Sequence, residues 1–349
     1  MHSRGLFSFR PINRKTVEIE RGAAAMRWLT GLVLVLAGLW SGYWFIGARG
    51  FEGAANGWIT ALQDSGKTAT HDGLAVRGFP NRFDLTVTEP HFADPATGIG
   101  WQSDFVQVLS LSYKPWHLIA AFAPTQRLTL PHEGITLRSE KMQTSLVAQP
   151  LPALPLDRIT LIGDMLEAQG NSGWSLRADA LRFASRRVDG DAHEVALTIT
   201  ELSPDPQLMS LFDGALPDRI GLIRLDATLG FTAPIDRFIL ETRPRLATLD
   251  LTEARVDWGD IHASAKGRLI ADSAGFAQGD IVLRLTSWRL ALDVAQSTGL
   301  IAPDARQLWD QAAGFLAGDS GDTLELPISL HNGRAMVGAI PVGPAPRLR

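Results

Sequence analysis

Cysteine is absent from this 349-residue chain. That excludes disulfide cross-links, thiolate metal sites, iron–sulfur clusters and cysteine nucleophiles. It leaves the compartment open, because an envelope protein can fold without disulfides. An excess of basic charge is also missing. The 33 Lys and Arg stand against 37 Asp and Glu, a formal −4, which argues against a nucleic-acid partner. Charged residues are 20 % and hydrophobic ones 45 %, so the chain is neither disordered nor highly charged. The eight His are scattered, with His132-Glu133 the closest pairing, and no His-x-x-x-His or His-Glu-x-x-His spacing occurs. No glycine-rich phosphate loop of useful length is present. The chain is therefore read as non-enzymatic, with no cofactor and no metal.

One apolar run is there, from Trp28 to Ile46. It carries no charge and has the length of a membrane-crossing helix at about 1.5 Å per residue. Trp28 opens it, and Trp40, Tyr43 and Trp44 cluster near its end, where amphipathic rings suit the headgroup layer. Arg4, Arg10, Arg14, Lys15, Arg21 and Arg27 precede it, against Glu18 and Glu20. The positive-inside rule then holds residues 1–27 in the cytoplasm and sends the rest across the inner membrane. The run is longer than a usual signal-peptide core, and Ile46 spoils the small-x-small exit at Gly47-Ala48, so an uncleaved anchor over 28–46 is expected. Met26 is a second candidate start of translation. Beyond the anchor stand 27 basic and 35 acidic residues, a formal −8, so any lipid would be held by its acyl part.

After the anchor, residues 47–66 predict a short membrane-proximal amphipathic helix, from Ala54, Ala55, Trp58, Ile59 and Leu62 at helical spacing. Over 67–349 the dominant period is two. Ile223, Leu225, Ala227, Leu229 and Phe231 alternate with Arg224, Asp226, Thr228, Gly230 and Thr232, and Phe83–Thr88 and Val195–Ile199 alternate likewise. Turns such as Trp258-Gly259-Asp260, Asp272–Gly275 and Asn332-Gly333 join successive strands as hairpins, which makes an antiparallel meander. Helices are expected at Asp205–Gly214, Ser287–Thr298, Ala305–Leu316 and Pro115–Phe122. About twelve strands at ~4.8 Å would make a sheet some 55–60 Å long. The fold class is thus mainly β with a few short helices: an elongated, curled antiparallel sheet behind one N-terminal transmembrane helix.

Three short motifs invite chemistry and are better read as loops. Gly318-Asp319-Ser320-Gly321-Asp322 lacks the base and acid that a nucleophilic serine needs. Asp189–Glu194 lacks the ligand spacing of a calcium loop and suits a hairpin turn. Gly343-Pro344-Ala345-Pro346 reads as a rigid extended tail with a docking role in reserve.

Gly78-Phe79-Pro80-x-Arg82-Phe83-Asp84-Leu85, Thr97–Trp101 with Tyr113–His117, and the closing Ile340–Arg347 together resemble a domain-of-unknown-function family of alphaproteobacterial, membrane-anchored envelope proteins. The unit Val256-x-Trp258-Gly259-x-Ile261-x-Ala263-x-Ala265-x-Gly267-x-Leu269, followed by Asp272, Gly275 and Gly279, is distantly similar to the AsmA-like proteins. That likeness implies a curled sheet with a greasy face and a role in lipid transport or outer-membrane homeostasis. Two readings of the Ile223–Phe231 face stay open at this point. As a lipid groove it would hold acyl chains. As a closed core it would lie beneath the Leu208–Phe212 and Ala305–Leu316 helices, and the chain would be an assembly scaffold for envelope partners. Alternation serves both, since both need one apolar face.

Overall fold

A computed structural model describes residues 14–348 except 213, 300, 319, 320 and 339, with side chains from residue 26 onward except at 240 and 340. Arg4, Arg10, Asp319 and Ser320 therefore lie outside the described residues. Helix α1 (Arg14–Asp64) is one unbroken helix. The stretch expected to be a membrane-proximal helix, 47–66, is helical and continues the anchor without a break: no proline interrupts the chain there, and Gly66, at φ 82°, ends it. The stretch from Met26 is long and apolar enough to cross a membrane, and side chains from Met26 to Leu39 are exposed.

The rest is one open antiparallel sheet. Its first strands come in collinear pairs separated by one or two residues. These are β1 (Thr68–Thr70) with β2 (Gly73–Arg77), β3 (Arg82–Thr88) with β4 (His91–Asp94), and β5 (Ile99–Ser103) with β6 (Phe105–Leu111). Next come β7 (Lys114–Phe122) with β8 (Thr125–Leu130), and β9 (Glu133–Arg138) with β10 (Lys141–Ala148). One ribbon of the sheet runs β2-β3-β6-β7-β10, the other β1-β4-β5-β8-β9. Both join β11 (Leu156–Gly170), whose first half pairs with β10 and whose last residues pair with β9. Each pair is thus one long strand broken at a shared line, a crease across the sheet.

The crease is made by the sequence at the breaks. Pro90 and Pro124 lack the ladder N–H, and Glu89 (φ 47°) and Met165 (φ 49°) take left-handed backbone. The backbone stays satisfied there through Asp72 N–H to Thr88 O, Glu89 N–H to Asp104 O, Ser139 N–H to Pro124 O and Glu140 N–H to Asp164 O. Beyond β11 the meander continues in chain order through β12 (Ser175–Arg187), β13 (Ala192–Leu202), β14 (Ile220–Phe231) and β15 (Leu246–Trp258). It then runs through β16 (Ile261–Ala271), β17 (Ala277–Thr286), β18 (Thr323–His331), β19 (Arg334–Val337) and β20 (Ile340–Pro344).

Three expected helices form. Asp205 caps α2 (Pro206–Ser210) by accepting from the N–H groups of Gln207 and Leu208. The others are α4 (Trp288–Ser297) and α5 (Arg306–Ala317), while a single turn, α3 (Ile239–Thr242), precedes β15. The helix expected over Pro115–Phe122 is instead strand β7. Trp116, Leu118, Ala120 and Phe122 alternate, and pairing with both β6 and β10 outweighs the helical spacing. Pro115 is tolerated because it sits where the β6–β7 register shifts. The tail is not free either. Ala345 N–H donates to Gly333 O, Ala277 N–H to Pro346 O and Leu348 N–H to Gly275 O, and Ala345 is buried.

Candidate functional site

The alternation along β14 sets a face whose neighbours follow from the register. Ile223 lies between Ile199 and Val256, Leu225 between Leu197 and Ala254, Ala227 between Val195 and Leu251, and Leu229 between His193 and Leu249, while Phe231 pairs with Leu246. The face continues toward the N-terminus through Leu181 and Phe183, Ile159 and Leu161, Leu146, Leu118 and Ala120, and Val106 and Val108 to Leu85 and Val87. Toward the C-terminus it continues through Ala263, Ala265 and Leu269 to Leu283, Leu285, Leu326 and Ile328. One apolar stripe therefore crosses the whole sheet.

Its two ends are covered. At the first strands Trp44 and Ala48 of α1 bury against Phe83, with Phe51 and Val76 beside them. Gly47 makes that approach possible, because a Cβ there would stand 2.5 Å from the Phe83 ring. At the far strands Phe212 and Leu216 pack on Ile261, and Ala313 and Ala317 pack with Trp288 on Leu324. The C-terminal Ala345 and Leu348 join Leu269, Ala277 and Leu330. Between these plugs the stripe is half-buried. Of the five β14 positions only Ala227 is fully buried, at 4 %, and Ile223, Leu225, Leu229 and Phe231 are each partly exposed. The helices expected to cover this face, Leu208–Phe212 and Ala305–Leu316, pack instead at the Ile261 and Leu324 end.

The crease folds the two ribbons toward one another on the apolar side. Trp101 of β5 meets Phe122 of β7 edge-on at 6.2 Å, and Gln126 Nε2 of β8 reaches Met142 Sδ of β10 at 3.1 Å. Phe92 stacks on Trp101 at 5.9 Å, and Trp58 of α1 meets Phe92 at 5.3 Å. The result is a trough with α1 lying in its N-terminal end. Sequence reasoning missed this aromatic wall. Its strands are too short for a visible period, although the pairing of Phe92 with Trp101 would have been the signal.

Polar groups interrupt the stripe at Thr144, Ser185 and His193. His193, 2 % exposed, has Nδ1 3.2 Å from Ser185 Oγ and its ring 6.2 Å from Phe231. Burial, then the neighbouring Arg187, holds its pKa below the usual 6.5, so the imidazole is neutral. The opposite face is charged and ion-paired, as in Arg224–Asp226 at 2.6 Å, Arg255–Asp257 at 2.9 Å and Arg284–Glu325 at 2.5 Å.

Of the expected membrane-interface rings, Trp28 is 82 % exposed, and Trp40 and Tyr43 are partly exposed. Trp44 differs: it is buried, with Nε1 donating to Arg82 O at 2.7 Å. Its face of α1 packs on the sheet, so it joins the helix to the domain. The Asp189–Glu194 segment is a turn running into β13, in which Asp191 pairs with Arg187 and Glu194 with Arg186. Among the described residues no cluster of His, Asp and Glu suits a metal.

These features define a class: a mainly β protein built on a large open antiparallel sheet behind one long apolar N-terminal helix, of a kind that serves as a membrane anchor or a signal sequence. Residues 44–346 match the family described as an uncharacterized protein conserved in bacteria, DUF2125, and the chain belongs to that family. No curated protein and no solved structure matches it.

Proposed function

We propose that this chain is a non-enzymatic envelope protein, anchored in the bacterial inner membrane by residues 28–46, that shelters lipid acyl chains along its apolar sheet face. The observation that carries the reading is the stripe itself. It begins at the helix that would stand in the bilayer, runs across the sheet, and is half-exposed between its plugs. Contiguous exposed apolar surface on a soluble domain marks a site for lipid, ligand or partner. The distant AsmA-like character of Val256–Gly279 and the alphaproteobacterial envelope likeness support the same reading, including a role in outer-membrane homeostasis. Arg14, Lys15, Arg21 and Arg27 before the apolar run support a cytoplasmic N-terminus.

Native mass spectrometry of the full chain purified in detergent tests this reading. Phospholipid adducts that survive removal of the micelle are expected. A lipid-free protein, together with an experimental structure in which the stripe is roofed over, refutes it. Alkaline phosphatase fused after residue 349 tests the orientation, and an inactive fusion refutes it. The alternative, an assembly scaffold, expects a closed core and an exposed binding edge, for which the proline-rich tail is one candidate; Ala345 of that tail is buried and the tail is hydrogen-bonded to both hairpin turns.

A further inference from the structure

The meander places alternate hairpin tips at one end of the sheet, and α1 enters at that same end. Trp40 Nε1 donates to Pro80 O at 3.0 Å, Tyr43 Oη to Ser112 O at 2.5 Å, and Phe45 stacks on Phe79 at 5.9 Å. Pro80 belongs to the β2–β3 tip and Ser112 to the β6–β7 tip. The last turn and a half of the apolar run is thereby fixed against two loops of the domain. The opposite tips lie at the far end, where Gln63 Nε2 donates to Ala69 O near the end of α1.

The tips at the helix end have an unusual composition. The first, Gly78-Phe79-Pro80-Asn81, holds no acid, exposes Phe79 by 53 %, and is flanked by Arg77 and Arg82. The second, Ser112-Tyr113, exposes Tyr113 by 56 % and is followed by Lys114. The third, Gln149 to Pro155, has no charge at all and exposes Leu151 and Leu154. The fourth, Val188 to Asp191, turns acidic with Asp189 and Asp191. At the far end Asp94 and Glu133 stand in or beside the corresponding turns.

We propose that the first three tips form a membrane seat: Phe79, Tyr113, Leu151 and Leu154 insert into the headgroup layer of the bilayer that α1 crosses, with Arg77 and Lys114 meeting lipid phosphates. The proposal rests on the anchor reading of α1 and adds the domain's orientation to it. Aromatic rings with one polar end belong at that depth. The hydrogen bonds from Trp40 and Tyr43 hold the first two tips level with the aromatic end of the apolar run. Asp189 and Asp191 keep the fourth tip out of the seat, since an anionic leaflet repels them, while the next loop at this end bonds back to the third tip through Arg237 N–H to Ala153 O. The seat stands the strands upright on the membrane and opens the trough's helix end toward the lipid.

The absence of cysteine makes the test direct. The full chain carrying a single Tyr113→Cys or Leu151→Cys change is labelled with a nitroxide and reconstituted in vesicles of phosphatidylethanolamine and phosphatidylglycerol. Both side chains are exposed, so folding is retained. Accessibility to oxygen against a water-soluble nickel relaxant is then read. Labels at 113 and 151 are expected to favour oxygen several-fold more than labels at Thr97→Cys, Ser172→Cys and Asp189→Cys. Leu34→Cys reports the anchor separately. A deep label at 34 with water-exposed labels at 113 and 151 overturns the seat alone, and a water-exposed label at 34 overturns the anchor and the seat together.

Discussion

Replacing Leu225 and Leu229 by Asp separates an open lipid face from a covered core. Both leucines are partly exposed, with Leu197 and Ala254 beside the first and His193 and Leu249 beside the second. Full burial of a leucine is worth about 1.5–3 kcal/mol, so a half-buried one loses about 1–2 kcal/mol when removed. A carboxylate at such a site keeps part of its hydration and avoids the several kcal/mol cost of a buried unpaired charge. The double variant should therefore lose about 2–4 kcal/mol of the 5–15 kcal/mol typical of a folded domain. At 2–4 °C per kcal/mol that is a fall in Tm of roughly 5–15 °C, with the β signal retained. Ala227→Asp supplies the contrast, because Ala227 is 4 % exposed between Val195 and Leu251 and its carboxylate has no water. That single change should destabilise more than the pair. The assay is thermal melting by circular dichroism beside lipid adducts by native mass spectrometry. Adducts should fall sharply in the folded double variant. Unfolding of both single leucine variants refutes the open face, and a folded double variant with undiminished adducts refutes its role in holding lipid.

Trp44→Ala removes the ring that buries on Phe83 and the hydrogen bond to Arg82 O; a loss of about 3–5 kcal/mol is expected. Protease cleavage near residue 50 should rise with it, and unchanged cleavage counts against a fixed helix. His193 is held neutral in the fold, so its contribution to stability is full above its ordinary pKa of about 6.5 and is lost as pH falls below that value toward its lowered folded pKa. Tm should drop between pH 7.5 and the acid side of about 6, and His193→Gln should flatten that part of the profile; equal slopes in the two proteins refute the assignment. Gly279, at φ 139°, leaves no room for a side chain, since a Cβ would stand 2.1 Å from Arg268 O. Gly279→Ala should cost about 2 kcal/mol or more through backbone displacement in the β16–β17 hairpin, seen as a lower Tm; a neutral effect refutes the packing.

Long strands were legible in the sequence because a period of two over ten residues has few rivals. The meander was legible because Gly259, Asp272–Gly275 and Asn332-Gly333 sit where hairpins need them. The ribbon of β1, β4, β5 and β8 was not, since strands of three to six residues are too short to show a period. The crease hides for a related reason: Glu89-Pro90 and Ala123-Pro124 read as strand ends, and only the register shows that both halves stay in one sheet. Trp44 shares a helix face with Trp40, four residues before it, and with Ala48, four residues after, and that face is the one buried on Phe83, which the clustering of Trp40, Tyr43 and Trp44 in the sequence does not show. The β14 face itself was found from Ile223–Phe231 alone. Its continuation across the sheet needed the pairings, because Ser185, His193 and Gly267 break the pattern at single positions.

The two edges of the sheet bear on whether the trough acts alone or extends by pairing with another chain. At the N-terminal edge α1 packs against β3 and Val76 of β2, and Trp58 lies against Phe92 of the other ribbon. At the C-terminal edge Pro341, Pro344 and Pro346 remove three N–H donors from β20 and the tail. The tail then turns back through its bonds to Gly333, Ala277 and Gly275 rather than continuing the ladder. An edge so treated resists strand addition. A partner that receives lipid from this face would therefore approach the open stripe between the plugs, not prolong the sheet. The half-exposed stripe residues from Ile159 of β11 to Leu225 of β14, which the plugs do not reach, are where such a transfer would take place.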